Sequence, residues 1–481
     1  MFVDDRPEDL DRGLEVLAVS PYLSNDPHDH GLRRAARRAG LTSPAEIGYT
    51  HLPTGSRVQC PKGRVAAGSI RAEQIGDIMA GPLDGVRVVE VANWTFVPAA
   101  GAVLADLGAD VIKVESPNGD PQRALLNMLN LGVGGPNPFI EIPNRGKRSV
   151  TCDLTTEAGR DALAAIVRTA DVFVTSNLAP VRTKLHIDVE DIRAVNPDII
   201  YVRGTGWGND GPMAEVGGYD LACGWASSGM AHKMTPGTSG IEPLPQPAAF
   251  FDLQGANTIA GAIGFALFKR SNTGETSVVD VSLLHVGMWA LSPDITGSPY
   301  LGDRGSYGDR TQAPNPLVNG YATKDDRWIY FVCLQPDRFW DEFCTLLGRP
   351  DLITDARYDN VTHRFENRSA LVTELDAVFG TLTLDDVKEK FTGFSGVWAP
   401  VLRPSELHTH PQVEANDLMP SVTAHDGSDY RIVAAPAHFS GHTTAPPGPA
   451  PELGQHTEEV LLEAGLDWDA ITVLREGGGL G

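Results

Sequence analysis

The chain has 481 residues, with 39 Lys+Arg against 62 Asp+Glu, and a formal net charge of −23. This length is typical of two or three domains, and 42% apolar with 21% charged residues excludes a disordered chain. The acidic balance argues against nucleic acid or an anionic membrane as a partner.

Cysteine and histidine spacing indicates neither a disulfide framework nor a metal centre. The five cysteines are widely spread and form no C-x-x-C pair, which favours a reducing, cytoplasmic location. The amino-terminal residues lack the basic and apolar regions of a signal peptide. Two H-x-H pairs, His28/His30 and His408/His410, have no third ligand at useful spacing, so we expect no metal.

A regular alternation of strands and helices begins near residue 81. Residues 1–80 show no such pattern and are interpreted as an extension of unknown role. Apolar, β-branched runs predict strands at 86–92, 110–115, 149–154, 171–175, 198–203 and 277–281, and helical patterns occur at 99–107, 157–169 and 189–195. This order indicates an α/β fold whose parallel sheet is covered on both faces.

The following residues predict a second, smaller domain. The apolar stretch 256–268 is short and contains glycines, so it is interpreted as a buried helix and not as a membrane span. Residues 293–315 are rich in Gly, Pro, Asp and Ser, a composition typical of a linker. A strand at 327–332 and an amphipathic helix at 337–347 then indicate an α+β domain over about 316–415.

Several common functional motifs are missing from this α/β pattern. No G-x-G-x-x-G follows the first strand, and there is no G-x-x-x-x-G-K-[ST] phosphate loop. The G-x-S-x-G turn that holds the nucleophilic serine of α/β-hydrolases is also missing. Because this architecture supports many activities, the sheet alone does not define a function.

Two short segments have candidate binding chemistry. Arg145, Lys147 and Arg148 are three cations within four residues, directly before a predicted strand. Such a run is either a solvated loop or a phosphate-binding edge. Tyr219 and Asp220 follow two glycines, where turn formation is the simple interpretation.

Asp252 is the candidate nucleophile. It lies between Phe250-Phe251 and Gly255, at the start of an apolar helix. An ordinary N-cap aspartate would have the same local pattern. A carboxylate in an apolar turn bounded by glycine is also approachable by a substrate, as covalent catalysis requires.

Six segments together resemble a known family. They are residues 82–115, 144–154, 171–185, 201–220, 252–269 and 451–466, and they resemble the family III CoA-transferases (CaiB/BaiF-like), which include formyl-CoA transferases and the related α-methylacyl-CoA racemases. The resemblance covers roughly residues 82–466. It implies a Rossmann-like large domain, a smaller α+β domain and an interlocked homodimer. The implied boundaries are 81–285 for the large domain, 286–315 for a linker, 316–415 for the small domain and 416–481 for a linker with a return segment.

The resemblance places the catalytic carboxylate on Asp252. In these transferases the aspartate attacks the acyl-CoA thioester to form a mixed anhydride. CoA thiolate then converts the anhydride to an aspartyl-CoA thioester, and an incoming carboxylic acid takes over the CoA. The implied partners are therefore an acyl-CoA and a carboxylic acid acceptor, with coenzyme A as the cofactor.

Tyr219 discriminates between the two activities of the superfamily. The racemases have a histidine here, which acts with the aspartate as a two-base proton shuttle. Tyrosine, with a pKa of about 10, is a poor general base at neutral pH. Transfer is therefore favoured over racemisation, which stays open as an alternative. Asp220 matches an acidic neighbour in the family motif and is either catalytic or a helix cap.

The resemblance also implies a CoA site. Its residues are Phe96, Val97, Ser116, Arg145, Lys147, Cys152, Asp153, Leu154, Thr155, Asn177, Leu178, Ala179, Lys184, Leu185 and Gly218. Ser116 stands where the transferases often have an arginine, which weakens that contact. Because CoA has roughly four negative charges, an acidic chain needs specific cations there, and Lys184, Arg145, Lys147 and Arg148 are the candidates.

A third class of function is a catalytically silent CoA-binding protein, which the presence of Asp252 disfavours. The acyl group is not defined by the sequence, since substrate pockets in this family consist of variable loops such as 127–142 here.

Overall fold

The computed structural model describes residues 81–132, 134–235, 242–302, 309–442 and 446–481. The predicted extension 1–80, with His28 and His30, lies outside the described residues. No helix among those described is long and apolar enough to cross a membrane.

A six-stranded sheet is the centre of the larger part of the fold. Its order is β3-β2-β1-β4-β5-β6, and every neighbouring pair is parallel. The strands are β1 Arg87–Val91, β2 Asp110–Glu115, β3 Arg148–Thr151, β4 Val172–Thr175, β5 Ile200–Thr205 and β6 Val278–Ser282. The predicted α/β class with a parallel sheet is confirmed.

Helices pack on both faces of this sheet. The helices in this part of the chain are α1 Phe96–Asp106, α2 Leu125–Met128, α3 Pro138–Asn144, α4 Glu157–Val167, α5 Ala179–Leu185, α6 Val189–Val195, α7 Met230–Met234, α8 Phe250–Thr273, α9 Leu283–Ala290 and α10 Ser292–Leu301. Successive strand residues point to opposite faces. Val88 therefore joins a core with α1 and α8, while Val89 joins a second core with α4.

Close packing of α8 against α1 fixes where α8 begins. Gly255 faces Phe96, and a Cβ on this glycine would lie 2.3 Å from Cε2 of the Phe96 ring. Only glycine permits this approach without displacing the ring. The first turn of α8, which contains Asp252, is thereby held beside the loop that follows β1.

A smaller antiparallel sheet with its own core follows. Its strands are β7 Val318–Ala322, β8 Trp328–Val332 and β9 Trp398–Pro400, and its helices are α11 Pro336–Leu347, α12 Val361–Glu366, α13 Arg368–Phe379 and α14 Leu384–Lys390. Phe331, Phe343, Phe379 and Phe391 pack together at its centre with ring centroids 5.0 to 6.4 Å apart.

The segment predicted as a linker is partly helical. Composition predicts a linker at 293–315, and the resemblance implies one at 286–315. The structure shows that α9 continues to Ala290 and that α10 occupies Ser292–Leu301. Composition suggested a loop, but Pro293 lies in the first turn of α10, where its missing N–H removes no helical hydrogen bond.

The last described residues return to the edge of the parallel sheet. They include α15 Pro411–Ala415, the hairpin β10 Ser421–Thr423 with β11 Asp429–Arg431, α16 Thr457–Glu463 and α17 Trp468–Glu476. The amide of Thr151 donates to Oγ1 of Thr457 at 3.1 Å, and Ser149 exchanges hydrogen bonds with His456. Strand β3, the edge of the sheet, is therefore covered by residues far along the chain.

Candidate active site

Asp252 lies in the first turn of α8 but does not cap this helix. The N-cap is Ala249, a non-glycine residue in the left-handed conformation with φ of 56°. Such a backbone is uncommon for alanine and costs of order 1–3 kcal/mol, so the surrounding packing must impose it. The N-cap interpretation of Asp252 is therefore excluded, and the side chain is free for another role.

The electrostatic setting of Asp252 makes its carboxyl unusually basic. Its side chain is partly buried. Burial raises the pKa of this carboxyl from 3.8 to about 7, and the negative charge of Asp220 acts in the same direction. A carboxyl of this kind holds its proton more tightly and is a stronger nucleophile when ionised.

Asp252 lines a cavity of about 240 Å³, which we call the Asp252 cavity. The lining residues are Asn93, Trp94, Phe96, Ser176, Leu178, Gly204, Thr205, Gly206, Gly217, Gly218, Tyr219, Asp252 and Leu283. It opens where the loops after β1 and β4 diverge, at the carboxyl ends of these strands. In open parallel sheets, ligands bind in the crevice at this reversal of strand order.

Asp220 lies beside this cavity and is only 8% exposed. Its Oδ1 accepts a hydrogen bond from the amide of Leu221 at 2.7 Å, at the start of a single π-helical turn, Leu221–Ala226. Its buried Oδ2 has no partner among the described residues. Buried carboxylate oxygens are normally hydrogen-bonded, so this atom is available to a ligand donor.

Gly218 contributes close packing to the same wall. A Cβ at this position would lie 2.3 Å from the sulfur of Cys223 and 2.9 Å from the indole nitrogen of Trp207. The glycine therefore lets the loop before Tyr219 fold tightly over the π-helical turn.

A second cavity, of about 130 Å³, is lined by seven of the fifteen residues that the resemblance assigned to CoA. We call it the strand-end cavity. Its lining includes Ser116, Cys152, Asp153, Leu154, Thr155, Asn177 and Leu185, which follow β2, β3 and β4, and also Asn93. Asn93 lines both cavities, and its backbone N–H donates to Oγ of Ser176 at 3.1 Å across the crevice. The two cavities are therefore adjacent.

Two cations lie near the strand-end cavity. Lys184, next to the lining residue Leu185, is exposed and has no ion pair among the described residues. Arg160 donates from Nη1 to the backbone oxygens of Leu154 and Thr155 at 3.2 Å each. Arg160 was not predicted, because its helical position in α4 does not reveal that it reaches this loop.

Three predicted CoA-binding residues are placed elsewhere by the structure. Arg145 is 3% exposed and pairs with Asp106 at 2.7 Å. Lys147 donates to Glu90 at 2.7 Å, and burial lowers the pKa of its ammonium to about 8. Val97 is fully buried in the core. Their side chains are already engaged inside the protein, so none of the three presents a free side chain to CoA.

The remaining candidates are peripheral. Arg148 forms ion pairs with Asp110, Glu459 and Glu463 at 2.7 to 3.0 Å, so its charge is already satisfied. Ala179 begins α5 and lines neither cavity. Nδ1 of His410 caps α15 by accepting a hydrogen bond from the backbone N–H of Gln412. No group of three metal-ligating side chains occurs in the described part of the chain.

A buried charge network underlies the loop after β1, and sequence analysis missed it. Lys113, fully buried, donates to Glu90 at 3.1 Å and to Asp120 at 3.0 Å. Asp120 in turn accepts from the amide of Trp94 at 3.1 and 3.2 Å. Trp94 has φ of 69°, a left-handed conformation, and its ring contacts Tyr219 edge to face at 5.6 Å.

The model of CoA-transferase family III matches residues 83–457. The chain therefore belongs to the family III CoA-transferases, enzymes that act on CoA thioesters, as the resemblance indicated.

Individual relatives support this assignment. The chain is 30% identical to cinnamoyl-CoA:phenyllactate CoA-transferase of Clostridium sporogenes, over 82% of this chain and 95% of that protein. It is 31% identical to succinate–glutarate CoA-transferase of Agrobacterium fabrum, over 79% and 95%. A crystal structure of a CaiB/BaiF family protein from Brucella suis matches with a TM-score of 0.68 and 29% identity, covering 80% of this chain and all of that one.

Proposed function

We propose that this enzyme moves CoA between carboxylic acids by covalent catalysis at Asp252. One observation carries the proposal: a partly buried carboxylate with a pKa near 7 lines a cavity that adjoins the strand-end cavity. The nucleotide end of CoA would occupy the strand-end cavity, and its thioester would pass Asn93 to reach Asp252.

In the first half-reaction the ionised Asp252 oxygen attacks the thioester carbonyl. A carbon–oxygen bond forms, the carbon–sulfur bond breaks, and CoA leaves as thiolate. The thiolate then attacks the aspartyl carbonyl, which releases the first carboxylate and leaves an aspartyl-CoA thioester. Phe96 and Leu178 shield the anhydride from water, which would otherwise hydrolyse it.

The second half-reaction reverses these steps with the acceptor acid. Its carboxylate attacks the aspartyl thioester and expels CoA thiolate, giving a second anhydride. The thiolate attacks the acceptor's carbonyl, which forms the new acyl-CoA and restores the Asp252 carboxylate. Asp252 itself lies in the first turn of α8. The backbone N–H groups of this turn are therefore the candidates that stabilise the developing oxyanions.

Tyr219 favours this reaction over racemisation. It is 61% exposed at the mouth of the Asp252 cavity, and no histidine is among the described residues that line this cavity. A two-base shuttle would need a second base with a pKa near neutrality beside Asp252.

Trapping of the covalent intermediate tests the proposal. The full chain is incubated with an acyl-CoA and then with hydroxylamine, and the peptide containing Asp252 is analysed by mass spectrometry. We expect the mass increase of an aspartyl hydroxamate. Deuterium incorporation at the substrate α-carbon without any adduct would instead support the racemase alternative.

The pKa of Asp252 predicts the pH dependence of the first step. Only the ionised carboxylate attacks, so adduct formation in a single turnover rises with pH around a midpoint near 7. A quench-flow series between about pH 5 and 9 measures it, with CoA binding followed in parallel as the control. A midpoint near 4 would contradict the raised pKa.

Lys184 provides a test of the proposed nucleotide position. We expect Lys184→Ala to weaken CoA binding about tenfold at low salt and less at high salt, because an exposed cation attracts phosphate through a screened field. Calorimetric titration measures the change. Lys390→Ala, which removes an exposed lysine from the small domain, is the matched control, and equal effects of both variants would contradict the assignment.

The interlocked homodimer and the cytoplasmic location are also part of the proposal. Phe265 and Phe268 of α8 are 78% and 70% exposed, and Trp289 of α9 is 74% exposed. Apolar surface of this kind is typical of a subunit interface. The four cysteines in the described residues are free thiols, which is compatible with a reducing compartment.

A further inference from the structure

We infer that the acyl group accepted in the Asp252 cavity is the uncharged aryl or branched-alkyl tail of a monocarboxylic acid, and that dicarboxylic acids are rejected. This inference rests on the proposed function and defines its substrate class. The names of the relatives do not decide it, since they include both phenyllactate and glutarate.

The charges around the cavity disfavour a second carboxylate. No lysine, arginine or histidine is among the described residues that line it. Among the described residues, the charged groups at the cavity are Asp252 and the neighbouring Asp220, whose buried Oδ2 has no partner there. A dicarboxylic tail would lose its hydration, gain no counter-charge and approach a like charge, and each of these effects opposes binding.

The walls of the cavity favour an apolar tail. Phe96, Leu178 and Leu283 present carbon atoms, and Trp94 and Tyr219 add two aromatic rings in edge-to-face contact. The polar side chains on the wall, Asn93, Ser176 and Thr205, are uncharged. A volume of about 240 Å³ accommodates an aryl or short branched acyl group. Each methylene that such a tail buries in an apolar pocket changes selectivity by roughly 10- to 200-fold.

Trp94 is the residue that shapes this selectivity. Its left-handed backbone is held by both carboxylate oxygens of Asp120, which the buried Lys113 fixes in turn. The indole is therefore presented by a rigid support and not by a mobile loop side chain. Rigid aromatic walls discriminate between tails of different shape more sharply than flexible ones.

Binding of two inert analogues to the full chain tests the charge argument. S-(4-methylpentyl)-CoA and S-(3-carboxypropyl)-CoA have nearly the same shape, but one ends in an isopropyl group and the other in a carboxylate. We expect calorimetry to show at least about tenfold tighter binding of the branched analogue. Equal or tighter binding of the carboxylate analogue would overturn the inference.

Neither analogue can react, so this result is independent of the chemistry at Asp252. If the branched analogue binds more tightly but acyl-CoA gives no aspartyl adduct, the proposed function fails while the cavity preference stands. If an adduct forms but the carboxylate analogue binds as well, the substrate class fails while the proposed function stands.

A pair of tryptophan variants tests the role of Trp94. We expect Trp94→Ala to reduce the ratio of the two analogue affinities about tenfold, while Trp94→Phe retains most of it. Trp468→Ala removes an exposed tryptophan from α17 and is the matched control. An unchanged ratio in Trp94→Ala, with a circular dichroism spectrum like that of the parent, would overturn the assignment of selectivity to Trp94.

Discussion

Replacement of Asp252 with asparagine is expected to reduce CoA transfer by at least about a thousandfold. Asparagine has nearly the same shape as aspartate, but its amide is not a nucleophile toward a thioester and cannot form an anhydride. Transfer from an acyl-CoA to a carboxylic acid, followed by chromatography of the CoA esters, measures the loss. The aspartyl hydroxamate should disappear at the same time.

The thermal stability of Asp252→Asn shows whether a loss of transfer is caused by unfolding. The pKa of Asp252 is raised in the folded protein, so the fold is favoured while this carboxyl is protonated, and that contribution is lost as pH rises through about 7. At about pH 8, Asp252→Asn should therefore unfold at the same or a higher temperature than the parent. Near-normal transfer by a stable variant would contradict the role of Asp252.

Substitution of Lys113 with methionine is expected to lower the free energy of unfolding by about 3–5 kcal/mol. Methionine fills a similar volume but removes the charge that two buried carboxylates share. Glu90 keeps its contact with Lys147, whereas Asp120 is left without a cationic partner in the buried charge network. Equilibrium unfolding in urea measures the loss.

An exposed lysine in an ion pair supplies the comparison. Lys388 pairs with Asp385 at 3.1 Å on the surface of α14, where water solvates both charges. Lys388→Met should change the free energy of unfolding by less than about 1 kcal/mol. If both methionine variants lost the same amount, burial of the Lys113 pair would not be its source of stability.

Strand positions were predicted well because burial on both faces leaves a direct trace in composition. The run at 110–115 matches β2 residue for residue, and the helix expected at 189–195 matches α6. Parallel strands need β-branched residues on both faces, so apolar runs define them. The linker at 293–315 was less accurate, because glycine and proline also occur in helices whose ends accept them.

The candidate site was only partly predictable. Asp252 and the strand-end residues follow from local motifs, but the fate of Arg145 and Lys147 depends on Asp106 and Glu90, which are 39 and 57 residues away. A cation run has the same pattern whether it meets a ligand or an internal carboxylate. Trp94 left no local signal, although its place directly after β1 lies where ligands meet such sheets.

The covering of strand β3 has a consequence for how the chain folds during synthesis. Hydrogen bonds from the return segment join residues 305 to 307 positions apart, such as Gly454 with Ser149 and Ser149 with His456. Contacts of such separation form slowly, and until residue 457 has left the ribosome the edge of the sheet stays unpaired. The smaller antiparallel sheet and its helices, whose core spans residues 317–394, can close earlier. A nascent chain would therefore display an open edge of the parallel sheet while this second core is already formed, a state that chaperones protect from aggregation.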